Sequence, residues 1–340
     1  MPLVGFAVIL RNTWEWALVS TVLSLSNGGT VGATWMFLVV VFGMFFVMLS
    51  MAEMASMAPT AGGQFFWVSE FAPIRSQKIL SYTVGWFCVL GWQSALVLTA
   101  YSVAQQVEAL ISLCDANYTI QGWHGTLLTI AVTLFSIIFN TLFVSKLPLL
   151  QNTVFVLHTA GFVTLICVFW TMGPRTRPSM ILSDFSDTTG WKSIGLACLV
   201  GLVGPINTLI DADSSCHLSE ELMNASYVLP RAMLTTAIIN YIMGFAMTIS
   251  LVLNLGDITA ALASSTGQPY VQVLLDITDS KRAAIALTAL VCILLLFATV
   301  NLVTISSRQL FAFARDRGLP FSDFLGHVSF VHIIFRIVAC

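Results

Sequence analysis

Long apolar runs dominate the chain, and short polar or glycine-rich breaks separate them. Eight runs reach the length of about 20 apolar residues that a membrane-spanning helix needs, at residues 4–26, 31–54, 80–111, 123–144, 150–172, 191–213, 233–255 and 283–305. Backbone N–H and C=O groups must find partners within lipid, which favours helices for such runs. The pattern therefore predicts an all-α polytopic membrane protein, with the runs numbered here as spans 1 to 8.

The composition agrees with a membrane protein and argues against several other classes. Of the 340 residues, 57% are hydrophobic and 9% are charged, whereas about a quarter are charged in soluble domains. The net charge of -2 provides no basic surface for nucleic acid. The seven cysteines are scattered singly, without metal-ligand or redox spacing. We therefore expect a multi-pass integral membrane protein with no cofactor, no metal and no nucleic-acid partner.

Basic residues give a weak signal for orientation. If the chain begins inside, the inner loops hold Arg75, Lys78, Lys146, Arg231, Arg308, Arg315 and Arg317, and the outer loops hold Arg175, Arg177, Lys192, Lys281 and Arg282. An excess of lysine and arginine marks the cytoplasmic side. The sequence thus predicts a cytoplasmic start, and it leaves the plasma membrane and the vacuolar membrane equally open.

Two spans are interrupted by polar or helix-breaking residues. Span 6 contains Gly201, Gly204 and Pro205 before a polar stretch, and span 1 contains the cluster RNTWEW at residues 11–16. Proline removes a helical hydrogen bond and glycine weakens a helix. Transporters bind substrates at such breaks, and spans 1 and 6 are corresponding positions in two inverted five-helix repeats. These breaks predict a substrate site.

Two aspartates lie where span 6 ends. A carboxylate deep in a membrane costs roughly a few kcal/mol, so it is a functional candidate by default. Asp213 could bind a proton, a coupling cation or the amine of a substrate. Alternatively, the helix ends near Leu209, and Asp211 and Asp213 both lie in water.

Five segments carry a longer pattern. They are LVGLVGPINTLIDADSSCHLSEELMNASYVLPRAM (199–233), NTWEW…SNGG (12–29), AEMASMAPTAGGQFFWVSEFAP (52–73), SSRQLFAFARDRGLPFSDFLG (306–326) and NLGD…SSTGQPYVQVLL (254–275). Together they resemble the fungal amino acid permeases of the amino acid/choline transporter family, within the amino acid–polyamine–organocation superfamily. The resemblance runs to about residue 329.

The resemblance implies a leucine-transporter-type inverted-repeat helical bundle, in which helices 1 and 6 are unwound at the centre. It implies uptake of amino acids, GABA or choline-like amines by alternating access, driven by a cation gradient. Members of the family have about twelve spans, whereas eight are present here, and residues 330–340 depart from the family pattern. We therefore expect residues 1–329 to form one transporter domain, in a chain that lacks the last four helices.

The substrate residues follow from the same resemblance. The matching positions are Asn12, Thr13, Trp14, Glu15 and Trp16 in helix 1, and Asn207, Thr208, Leu209, Ile210, Asp211, Ala212 and Asp213 in helix 6. Asp211 departs from the family, where glycine is usual. Trp14 and Trp16 could form an aromatic wall for a cationic group, or they could face lipid or pack in the bundle.

The coupling ion has four candidate residues: Asp213, His158, Ser306 and Ser307. His158 matches a lysine that replaces a sodium ion in related transporters, and a histidine can carry a proton near neutral pH. Alternatively, it is a neutral, hydrogen-bonded histidine. The serine hydroxyls could ligate a cation, or they could bond their own helix carbonyls.

The sequence thus predicts secondary active transport of amino acids or related amines, with the proton as coupling ion. No nucleophile–base arrangement indicates an enzyme, and HLSEE at 217–221 lacks the second histidine of the related zinc motif. The alternative is a membrane protein that does not transport, either an inactive fragment or a nutrient-sensing or binding relic.

Overall fold

The computed structural model describes residues 12–115, 117–143, 146–174, 185–210, 213–256, 258–264 and 266–326. Most of these residues are helical. The α-helices are α1 Thr13–Ser26, α2 Gly29–Met57, α3 Gln64–Phe71, α4 Ile74–Cys114, α5 Gly122–Leu142, α6 Leu147–Met172, α7 Ile194–Gly201, α8 Val203–Leu209, α9 Ala225–Leu253, α10 Ile258–Leu262, α11 Pro269–Thr278, α12 Lys281–Arg315 and α13 Ser322–Leu325. A 3₁₀ helix covers Cys216–Glu221, and two short strands are β1 Asn27–Gly28 and β2 Ser186–Asp187.

The described helices confirm a polytopic all-α protein. Within the described ranges, six helices are long and apolar enough to cross a membrane, namely α2, α4, α5, α6, α9 and α12. They correspond to spans 2, 3, 4, 5, 7 and 8. The other two are the spans predicted to be interrupted: α1 begins at Thr13, with residues 4–11 outside the described part, and span 6 is divided between α7 and α8. The count of eight spans and the inverted repeats remain predictions.

Contacts between connecting segments identify the two ends of the bundle. At one end, Arg315 at the end of α12 pairs with Glu220 of the 3₁₀ helix at 3.1 Å. This end, formed by residues 58–73, 213–224 and 316–326, is the predicted cytoplasmic end and is called the inner end below. At the outer end, the Lys281 ammonium donates to the Cys114 carbonyl at 3.3 Å.

A short strand pair closes the outer end of α1. Gly28 and Gly29 both have positive φ, and a Cβ at Gly29 would lie 2.3 Å from the Ser186 hydroxyl. This turn lets β1 pair antiparallel with β2, with Asn27 opposite Asp187. The Thr189 hydroxyl and neighbouring backbone N–H groups donate to the Asp187 carboxylate, and they lower its pKa below the ordinary value.

Helix α1 lies at the centre of the bundle. Eleven of its fourteen residues are buried, whereas α5 buries only Gly125 and Ser136 among its twenty-one. Ring and aliphatic side chains of α6, α9, α11 and α12 form one continuous core with Trp14 and Leu18 of α1. A helix buried on all sides is expected to be apolar all round, and α1 departs from this expectation because several of its buried residues are polar.

Small residues bring α1 against span 6. The Ser24 hydroxyl donates to the Gly201 carbonyl at 2.8 Å, and the Ser20 hydroxyl lies 2.6 Å from that of Thr208. A Cβ at Gly201 would lie 2.7 Å from the Asn27 carbonyl oxygen, and one at Gly204 would lie 2.5 Å from the Ser24 hydroxyl. Small residues that allow close backbone approach are typical of membrane helix interfaces.

We predict that Gly201→Ala lowers the melting temperature of the purified protein in detergent. The new methyl group meets a backbone oxygen that cannot rotate away, and overpacking of this kind costs about 1–3 kcal/mol. The matched control is Gly195→Ala in the same helix, because Gly195 is exposed and a Cβ there meets nothing within 4 Å. Equal or higher stability of Gly201→Ala than of the control would contradict the packing described here.

Candidate functional site

The site is built around the first turn of α1, which is completely enclosed. Asn12 has a left-handed backbone (φ 37, ψ 44), and helical hydrogen bonding begins with the Trp16 N–H donating to its carbonyl at 2.9 Å. Asn12, Thr13, Trp14 and Glu15 are each 0% exposed. The expectation that residues 12–16 are unwound is therefore wrong for residues 13–16, which are helical, because a buried backbone must satisfy its own N–H and C=O groups.

A carboxylate–imidazole pair joins α1 to α6. Glu15 Oε1 lies 2.7 Å from His158 Nδ1, and both side chains are 0% exposed. The other atom of each group, Glu15 Oε2 and His158 Nε2, has no hydrogen-bond partner among the described residues. His158 is thus hydrogen-bonded in the bundle, as the alternative interpretation has it, but its partner is a titratable carboxylate.

Trp14 packs over this pair. Its ring centroid lies 5.6 Å from that of His158 and 6.3 Å from that of Phe162. Gly161 makes the contact possible, because a Cβ there would come within 3.3 Å of the indole ring. Trp14 and Trp16 are 0% and 8% exposed, so neither faces lipid. A role as an aromatic wall for a cationic substrate remains a prediction.

Two more helices hold the start of α1. The Asn12 amide donates to the Leu294 carbonyl of α12 at 3.0 Å. On α9, a Cβ at Gly244 would lie 2.7 Å from the Thr13 methyl group. Asn12 Oδ1 and the Thr13 hydroxyl have no hydrogen-bond partner among the described residues. The first turn of α1 therefore presents several polar atoms that are buried and available.

The interruption of span 6 lies further along the chain than the glycines and proline suggest. α7 and α8 adjoin at Leu202, and α8 continues to Leu209, where Ile210 becomes extended. Pro205 is the third residue of α8, where a helix start has no partner for the N–H in any case. Asn207, Thr208 and Leu209 are consequently helical, not unwound, and Asp211 and Ala212 lie outside the described residues.

Asp213 follows this interruption and is buried. The helix ends at Leu209, as the alternative interpretation holds, yet Asp213 is only 9% exposed and does not lie in open water. Its Oδ2 accepts a hydrogen bond from the Gln64 amide of α3 and lies 3.7 Å from His217 Nε2. The predicted substrate residues of spans 1 and 6 therefore have different neighbours: Asp213 contacts α3 and the 3₁₀ helix, and Glu15 contacts α6.

The two serines of α12 lie apart from His158. Ser306 and Ser307 donate to the carbonyls of Val303 and Thr304 in their own helix, which is the second of the two interpretations. α6 and α12 run antiparallel, with Gln151 bonded to Asn301. At 1.5 Å per residue, His158 and Ser306 are separated by about 18 Å along the helices. The four candidates for the coupling ion therefore do not form one site.

Three residues of the site were not predicted: Ser20, Gln64 and His217. The spacing of Ser20 and Ser24, one turn apart opposite Gly201 and Gly204, is a small-residue signal that could have indicated the α1–span 6 interface. Gln64 is a lone amide between two glycines and an aromatic run, a pattern that carries no specific signal. Within the described ranges, no group of three His, Cys, Asp or Glu residues could hold a metal ion.

Comparison with known proteins identifies the class of membrane protein. The model of the amino acid permease family matches residues 4–340. A provisionally named amino acid/polyamine transporter of Macrophomina phaseolina is 28% identical, over 96% of this chain and 72% of that protein. An uncharacterized amino-acid permease of Schizosaccharomyces pombe is 29% identical, over 94% and 59%. The choline transporter of Saccharomyces cerevisiae is 27% identical, over 96% and 58%.

The chain thus spans between about three fifths and three quarters of the length of these relatives. The relatives are fungal transporters and permeases and not enzymes, in agreement with the sequence prediction. The match over nearly the whole chain also confirms the predicted resemblance and an integral, multi-pass membrane protein. The chain belongs to the amino acid permease family.

Proposed function

We propose that this protein moves amino acids or related amines across a membrane by alternating access, and that a proton drives the movement. The observation that carries the proposal is the buried pair of Glu15 and His158, which links the central helix α1 to α6. Ionisable groups inside a membrane are costly, and they mark ion pathways and proton relays. The proton is therefore the coupling ion that this pair suits best.

The pair has atoms that can hold different numbers of protons. Its two inner atoms, Glu15 Oε1 and His158 Nδ1, share one hydrogen bond, while the two outer atoms remain available. Adding or removing a proton changes the charge of a fully buried contact, and the cost of an uncompensated buried charge is several kcal/mol. Protonation therefore biases whether α1 stays docked on α6, which is the coupling that a proton-driven transporter needs.

The ends of the two interrupted helices suit the two ends of an amino acid. At the start of α1, no side chain caps the N–H groups, and the positive end of a helix favours a carboxylate. At the end of α8, the last carbonyls favour an ammonium group. Thr208, near the end of α8, contacts Ser20 in the middle of α1, which fixes the two interrupted spans side by side. This arrangement supports a zwitterionic amino acid or a cationic amine as substrate.

The names of the relatives support the same substrate class. One is named for amino acids and polyamines and another for choline, so amines occur in both. GABA belongs to the same class of small amines and is included in the screen below. The particular substrate depends on the side chains around the site, which relatives at 27–29% identity do not fix.

We predict that Glu15→Gln abolishes accumulation driven by a pH gradient while leaving equilibration of substrate across the membrane. The protein is reconstituted in liposomes with the voltage clamped at zero, and uptake of radiolabelled amino acids, GABA and choline is measured. One coupled proton at a gradient of one pH unit supports roughly ten-fold accumulation, equivalent to about 1.4 kcal/mol. Glutamine keeps the contact with His158 but cannot release a proton, so the ratio falls to about one.

The matched control is Glu70→Gln, which changes an exposed carboxylate of α3 and should accumulate substrate like the native protein. Ten-fold accumulation by Glu15→Gln would overturn the role of the pair. Binding without uptake by the native chain would overturn transport and favour the alternative, a membrane protein that binds without transporting.

A double replacement separates the structural role of the pair from its proton role. We predict that Glu15→Met alone lowers the free energy of unfolding by about 3–5 kcal/mol, because it leaves His158 buried without its partner. Adding His158→Leu restores most of that stability, since an apolar pair can replace a buried ion pair. The restored protein should still show no proton-driven accumulation, and accumulation at the native level would contradict the proposal.

A further inference from the structure

We propose that Asp213 and His217 bind one proton between them at the inner end, and that this proton ties the inner turn to the segment after α8. The inner turn is the connection at residues 58–63 between α2 and α3. This inference deepens the proton part of the proposed function, on which it rests for its role in transport. Its test needs neither substrate nor flux.

The tautomer of His217 follows from one hydrogen bond. His217 Nδ1 lies 2.7 Å from the Ala61 carbonyl oxygen, and a carbonyl can only accept. Nδ1 therefore carries a hydrogen and donates to the inner turn. In the neutral ring, Nε2 is then left with a lone pair and no hydrogen.

That lone pair faces a carboxylate. Nε2 lies 3.7 Å from Asp213 Oδ2, it is buried, and it has no hydrogen-bond partner among the described residues. An ionised carboxylate is also only an acceptor, so two acceptors oppose each other unless a proton lies between them. A proton on Nε2 makes the ring positive, so that it forms an ion pair with the Asp213 carboxylate 3.7 Å away while Nδ1 donates to Ala61. The ring then bridges two segments of the chain.

The surroundings fix the carboxylate and the ring. The Gln64 amide donates to Asp213 Oδ2, and the Cys88 thiol of α4 lies 3.9 Å from Gln64 Oε1. The Trp92 ring of α4 packs perpendicular to the His217 ring, with centroids 5.3 Å apart. Neither Asp213 nor His217 can turn towards another partner without breaking one of these contacts.

A small cavity gives the proton a path from the inner end. It has a volume of about 30 Å³ and is lined by His217, Ala61, Glu220, Arg308 and Arg315, among others. Arg315 and Glu220 are 45% and 40% exposed, so the cavity borders water. This volume admits a water molecule but not an amino acid, which needs a pocket of about 300 Å³ or more.

The charged groups around the His217 ring have opposite effects on its protonation. Asp213 and Glu220 favour a positive imidazole, whereas Arg308 and Arg315 of α12 disfavour it. Arg315 is partly neutralised by its 3.1 Å pair with Glu220, which leaves Asp213 as the charge nearest to Nε2. We therefore expect the shared proton to be held at low pH and released as the pH rises.

The test is an ¹⁵N NMR titration of the intact protein labelled at its five histidines, between about pH 5 and pH 8. The His217→Gln variant assigns the His217 signals. We expect His217 to change from a doubly protonated ring to the tautomer with hydrogen on Nδ1. Removing the charge with Asp213→Asn should lower its midpoint by about one pH unit or more. His124, which bonds Tyr118 at the outer end, is the control and should titrate unchanged.

Hydrogen–deuterium exchange in the same samples tests whether the proton links the inner turn to the segment after α8. We expect the inner turn to exchange faster at high pH after correction for the intrinsic rate, while the outer residues 27–29 do not. A neutral His217 with hydrogen on Nε2, or a midpoint that Asp213→Asn leaves in place, would overturn the shared proton. The tautomer of His217 in the native protein tests the shared proton even if Asp213→Asn does not fold. Failure of uptake alone would overturn transport and leave this proton site standing.

Discussion

The cost of burying polar groups away from water is the constraint on which the arrangement depends. α1 carries an amide, a hydroxyl, a carboxylate and two indoles in its first turn, and all of them are enclosed. Two of the helices that contact this turn supply polar partners, and a third makes room for it. α6 supplies the imidazole for Glu15, α12 supplies a carbonyl for Asn12, and α9 makes room beside Thr13. Two spans, α6 and α12, are therefore tied to α1 by the chemistry of one short polar cluster.

Much of the helical framework could be predicted from the sequence, because length and continuity of apolar runs decide whether a segment can cross a membrane. The six long helices overlap the predicted spans 2–5, 7 and 8, and several extend beyond them. The residue at which span 6 ends was harder to predict from the sequence. Gly201 and Gly204 indicated a weak helix, but their main effect is close packing against α1, and the chain leaves the helix only after Leu209.

The site could be predicted only in part, because partners far apart in the chain depend on tertiary packing. Glu15 and His158 were each singled out by the resemblance, one for the substrate and the other for the coupling ion, yet 143 residues separate them and no local pattern joins them. Asp213 was expected to be buried or wet according to where the helix ended. It is buried although the helix ends early, because Gln64 at the start of α3 covers it. The two glycines that precede Gln64 give no signal that this side chain covers Asp213.

The length of α12 has a mechanical consequence. At 35 residues it is about 52 Å long, and it contacts α1 through the Leu294 carbonyl and the inner cavity through Arg308 and Arg315. These contacts lie about 20–30 Å apart along one continuous rod. A tilt of that rod about a point between them would carry its two contacts in opposite directions. A displacement of α12 at its contact with α1 would therefore be accompanied by an opposite displacement at the inner cavity.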